Sequence, residues 1–101
     1  MLKSISQKYD FEKNDPRIEK IIDFIYDFSS KKPLPPQMHL VDSKHLESFT
    51  YYIDPGAVAN ISHKSNPVSV ITETSITIFG NNQKIRESAK SVLEEYLGFK
   101  F

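Results

Sequence analysis

The sequence predicts an α+β fold, a small antiparallel sheet of about three strands packed against an amino-terminal and a carboxy-terminal amphipathic helix. Three observations carry that expectation. Apolar residues recur at helical spacing in two segments, 15–29 and 82–97. Two β-branched runs, Val68-Ser69-Val70-Ile71-Thr72 and Ser75-Ile76-Thr77-Ile78-Phe79, set large apolar groups between hydroxyls. At 101 residues, 39% of them hydrophobic, the chain suits one domain with one core.

Residues 1–14 lack sustained periodicity and read as a partly ordered tail, with Leu2, Ile5, Tyr9 and Phe11 able to dock as an extended arm. A single domain then spans 15–101. Asp15-Pro16 opens the first helix, because aspartate caps free N–H groups and proline at the first helical position has no N–H to lose. Ile18, Ile21, Ile22, Ile25 and Phe28 follow at helical spacing, with Phe24 and Tyr26 widening the apolar face. Pro33 ends it, since a residue before proline is pushed out of helical geometry. Pro33-Leu34-Pro35-Pro36 is a stiff connector that also spells P-x-x-P.

Met38-His39-Leu40-Val41 reads as a short strand. Residues 43–53 fit either a helix or a strand, and a strand over 48–53 is favoured because Asp54-Pro55-Gly56 follows as a turn signal. Ala57 to Ile61 is expected to make a single helical turn. The two β-branched runs, joined at Glu73-Thr74, form a hairpin in this reading. Asn81 or Asn82 then caps the last helix, whose face is Ile85, Ala89, Val92, Leu93, Tyr96 and Leu97, and Gly98 is its left-handed C-cap. Phe99 and Phe101 are expected to fold back on the core.

Charge narrows the function classes. The chain carries 13 basic and 13 acidic residues, balanced eight to eight before residue 50 and five to five after it. Such a chain is not built mainly to neutralise many phosphates, and its guanidinium groups are Arg17 and Arg86 alone. The absence of cysteine removes disulfides and thiolate chemistry. The opening residues lack the apolar stretch of a secretory leader and no apolar run approaches a membrane span, so a cytoplasmic setting without a membrane partner is expected.

No catalytic constellation emerges. His39, His45 and His63 are spaced by six and eighteen residues, which matches no metal-ligand pattern. Twelve serines include no G-x-S-x-G elbow, and no glycine-rich phosphate loop is present. The expectation is a non-enzymatic domain without metal or cofactor.

Residues 68–97 resemble the second half of a KH-like domain, in which a strand, a turn, a strand ending near a glycine and a final amphipathic helix follow in this order. Here these are residues 68–72, Glu73-Thr74, residues 75–79 with Gly80, and residues 82–97, with 49–53 in the place of the family's first strand. The resemblance implies a KH-like sheet that binds single-stranded nucleic acid, RNA before DNA. The family's G-x-x-G loop is missing, since Gly56, Gly80 and Gly98 are not so spaced. Ser62-His63-Lys64-Ser65 is the candidate backbone-facing turn in its stead. In this reading His63, Lys64, Lys84 and Arg86 face the phosphate backbone, and Tyr51 or Tyr52 stacks on a base. The alternative is a protein adaptor or self-associating subunit. It would use the apolar face of the helix over 15–29, through Ile18, Ile22, Phe24, Ile25 and Tyr26.

Overall fold

Local capping sets both helices. In the computed structural model, which describes residues 5–26, 33–44, 47–66, 68 and 71–101, α1 (Arg17–Tyr26) starts where the Asp15 carboxylate accepts from the Arg17 N–H at 2.9 Å. At the other end of the chain, α2 (Gln83–Leu97) starts where Asn82 Oδ1 accepts from the Ile85 N–H. It stops at Gly98, whose φ of 83° is left-handed and whose N–H reaches the Glu94 carbonyl at 2.9 Å.

Between and around the helices run β1 (Ser6–Phe11), β2 (Met38–Lys44), β3 (Ser48–Ile53), β4 (Ala57–Asn66) and β5 (Ile71–Phe79). They form one five-stranded sheet in the order β1-β5-β4-β3-β2, every neighbouring pair antiparallel. The α+β class is as expected, but the sheet has five strands rather than about three.

Two differences add strands, and a third merges two expected ones. Ser6–Phe11, expected within a partly ordered tail, pairs with β5 along its length. Ala57 to Ile61 is not a helical turn but the start of β4. Ala57 and Ala59 are fully buried there, on the strand that contacts both helices, so small side chains let the helices approach closely. Glu73-Thr74 is not a turn. Residues 71–79 are one continuous strand, in which Glu73 pairs with Lys64 and Thr74 with His63. Residues 71–79 thus lie as a single strand between β1 and β4. Residues 27–29 of the expected first helix, His45, and Ser69 and Val70 of the expected strand lie outside the described residues.

Alternation along each strand puts one set of side chains under the helices. Phe49, Tyr51, Ile53, Ile61, Ile76 and Ile78 point that way and meet Ile18, Ile21 and Ile25 of α1 and Ala89, Leu93 and Leu97 of α2. Phe24 ties the layers together, its ring standing edge-on to Phe49 at 5.6 Å and to Tyr96 at 5.3 Å. The chain end closes one side of this core. The Tyr9 and Phe101 rings meet edge to face at 4.9 Å, and the Phe101 N–H and the Lys90 ammonium both donate to Glu94 Oε2. Burial works against the Glu94 charge, but those two donors outweigh it and hold the carboxyl below its ordinary range.

Candidate functional site

The second face of the sheet is covered by none of the described elements. Because strand registers are in phase, its side chains line up in rows that cross the strands. One row reads Ser6, Phe79, Val58, Tyr52 and His39; the next reads Lys8, Thr77, Asn60, Thr50 and Asp42; the third reads Asp10, Ser75, Ser62, Ser48 and Lys44. Lys64 and Glu73 begin a fourth. A β-bulge between Leu40 and Asp42 keeps Asp42 and Lys44 in phase with this face.

The rows differ in chemistry. The first is apolar and aromatic: Phe79 and Tyr52 are each more than a third exposed, and the His39 ring lies stacked beside Tyr52 with centroids 6.4 Å apart. The second and third are hydroxyls around one carboxamide. Asn60 Nδ2 donates to Ser48 Oγ at 2.8 Å and to Thr50 Oγ1 at 2.9 Å, which fixes the amide in the plane of the face. Three lysines (Lys8, Lys44 and Lys64) and three carboxylates (Asp10, Asp42 and Glu73) stand on or beside these rows, so the face is close to neutral. The Lys8–Asp10 pair, 3.6 Å apart and well exposed, adds little to stability. At one corner Lys8, Asp10, Ser62, Lys64 and Glu73 border a shallow depression of about 290 Å³.

The expected binding residues are divided between the two faces. Tyr52 and Lys64 lie on the open one. Tyr51, one residue away, is 1% exposed beneath the helices, where burial pushes its hydroxyl pKa well up. His63 is 5% exposed on the same inner side, with Nδ1 2.8 Å from Thr74 Oγ1 and the Tyr26 ring edge-on to it. It belongs to a strand and not to a backbone-facing turn, and burial lowers its pKa. Lys84 is exposed in the first turn of α2, in the helix layer. Arg86 Nη1 donates to the Gly80 carbonyl at 2.9 Å, in the first turn of α2 and not on the open face. Even Tyr52 and Lys64 are separated, because Lys64 lies six residues along β4 from Val58, the register partner of Tyr52, or about 20 Å.

The expected partner surface of the first helix is mostly core. Ile18 and Ile25 are buried, and Ile22 and Phe24 pack against the core from its margin. Tyr26 alone of the five is exposed, at 53%. Among the described residues of α1, the apolar side chains other than Tyr26 pack toward the sheet and α2.

Sequence reasoning missed Phe79, Val58, Asn60, Thr50 and Thr77 as members of one surface. The signal was present in the alternation Val58, Asn60, Ser62, Lys64 against Ala57, Ala59, Ile61, His63. Two alanines, which favour helix by propensity, obscured it. Among the described residues no group of three histidines or carboxylates is placed to hold a metal ion, and no helix is long and apolar enough to cross a membrane. Comparison of the chain with protein-family models, with curated proteins and with solved structures finds no match.

Proposed function

We propose that this domain binds single-stranded nucleic acid on the open face of its sheet and carries out no chemistry of its own. The observation that carries the reading is the juxtaposition of an exposed aromatic row with rows of hydroxyls and a central carboxamide, all on one uncovered face. Aromatic rings on an open sheet offer stacking platforms to unpaired bases. Hydroxyl and amide groups offer donors and acceptors to base edges, and lysines at the margins meet the backbone. The open sheet face, and not a G-x-x-G substitute between helices, is the binding surface in this proposal.

Near-neutrality limits the electrostatic share. If all three lysines met phosphates, affinity for a single strand would fall roughly twentyfold between about 50 and 200 mM salt, and the neighbouring carboxylates make that an upper bound.

The test is fluorescence anisotropy with labelled single-stranded and duplex oligonucleotide pools over that salt range. Single strands are expected to bind with a shallow salt dependence. Tyr52→Ala and Phe79→Ala should each weaken binding about tenfold, the worth of one stacked base. Lys64→Glu should weaken it and flatten the salt slope, whereas Lys84→Glu, behind the sheet, should leave it unchanged. No binding at the lowest salt refutes the reading. Binding of duplex alone, or binding lost with Lys84→Glu and kept with Tyr52→Ala, refutes the assignment of strand form or face.

A further inference from the structure

The sheet ends in two edge strands, β1 and β2, and they differ in chemistry. β1 sets Lys8 and Asp10 along its rim, and the chain end packs against its rings, Phe101 on Tyr9 and Phe99 on Phe11. Charged side chains and cover of that kind blunt an edge. β2 is exposed from His39 to Lys44, and Leu40 and Val41, 40% and 63% exposed, stand next to each other at its centre. Among the described residues, no backbone hydrogen bond from outside the sheet reaches residues 39–43. An open edge with apolar side chains at its centre is a template for another strand.

We propose that the strand this edge receives is β2 of a second copy of the chain, antiparallel about a two-fold axis between Leu40 and Val41. The β-bulge selects that partner. It inserts Val41 between Leu40, paired with Tyr51, and Asp42, paired with Thr50. Met38, Leu40 and Ser43 therefore lie on the helix side, and His39, Asp42 and Lys44 on the open side. A regular strand laid along β2 falls out of phase at the extra residue, which is how a bulge guards an edge. A second β2 carries the same extra residue, so two bulges facing each other keep both faces in phase. Leu40 then lies opposite Val41 of the copy, His39 opposite Asp42 and Met38 opposite Ser43. A shift of one residue either way sets the inward Met38 against the outward Asp42 or Lys44. The register that the bulge allows also places an imidazole opposite a carboxylate twice and gathers the four exposed apolar side chains at the axis. Pairing of this kind joins two five-stranded sheets into one, with both open faces on the same side. It goes beyond the nucleic-acid reading and does not depend on it.

The test is sedimentation velocity of the full chain from about 1 to 500 μM, because a single strand pair lies at the low end of interface sizes, below ~1,200 Å², where complexes are weak. A monomer–dimer equilibrium is expected. Val41→Lys puts two like charges beside the axis and should raise the dimer Kd by about tenfold or more. Asp42→Lys should weaken the dimer as well, and adding His39→Asp, which restores opposite charges across both pairs, should recover it. Gln7→Lys, at the β1 edge, should leave it unchanged. All four positions are exposed, and thermal unfolding of each variant separates a lost interface from a lost fold.

A monomer over the whole range overturns the inference. Dimerisation that survives both Val41→Lys and Asp42→Lys, or that is lost with Gln7→Lys, overturns the assignment to β2. A dimer lost with Asp42→Lys and not recovered by adding His39→Asp overturns the register.

Discussion

Phe24 decides whether α1 is part of the core or a surface held ready for a partner. Its ring touches Phe49 at 5.6 Å, Tyr51 at 6.0 Å and Tyr96 at 5.3 Å, linking α1, β3 and α2. Truncating a well-buried phenylalanine to alanine costs about 3–5 kcal/mol. Phe24 is at the core margin, which lowers the burial share, while its three ring contacts each add a further ~0.5–1.5 kcal/mol at full strength. Phe24→Ala should therefore lose about 3 kcal/mol, a large part of the ~5–15 kcal/mol that holds a domain of this size. The assay is urea unfolding followed by far-UV circular dichroism, in which the midpoint should drop by roughly 1–3 M with little change in slope. Tyr26→Ala, on the exposed end of the same helix, is the control and should change stability by less than about 1 kcal/mol. If Phe24→Ala also costs less than about 1 kcal/mol, the packing argument fails and α1 returns as a candidate docking surface.

Two further outcomes follow from particular groups. Burial holds His63 below its ordinary value of 6.5, so the unfolded chain takes up this proton before the folded one does as pH falls. Its contribution is present in full above pH 6.5 and is lost as pH drops from there towards the folded-state value; urea unfolding at pH 8 and pH 5 should show the loss, and His63→Gln should reduce it. Gly98→Ala should cost about 1–2 kcal/mol in thermal unfolding, from the left-handed backbone alone. An added Cβ there would meet nothing nearer than Lys20 Nζ at 3.7 Å, so Gly98→Asn should be milder, and equal stability of all three forms would refute the strain argument.

Much of this fold was legible where local chemistry decides local structure. Asp15 and Asn82 announce helix starts because a short side-chain acceptor satisfies free N–H groups, and Gly98 announces a stop because it takes a left-handed φ without cost. The strand over 48–53 and the turn after it were readable for the same reason, from β-branched and aromatic residues running into Asp54-Pro55-Gly56. The candidate site was legible only in part. Tyr52 and Lys64 were named, but Tyr51, His63, Lys84 and Arg86 were grouped with them, and nothing local distinguishes an inward tyrosine from an outward one at adjacent positions.

That distinction is set by register. Shifting a strand by one residue exchanges its two faces, so the identity of the open face depends on which residues of β3, β4 and β5 pair with one another. Those pairings join positions far apart in the chain, such as Ser6 with Phe79 and Val58 with Phe79. Likewise, residues 71–79 could be one strand or two until β1 and β4 supplied partners on both sides, which straightened the segment through Glu73-Thr74. By itself the sequence determined the α+β class, both helices and their caps, because these depend on contacts within a few residues. Tertiary structure alone decided the five-strand order, the conversion of the helix-prone alanines into a buried strand, and the alignment of Phe79, Asn60 and Tyr52 on one surface, because these depend on hydrogen bonds between distant strands.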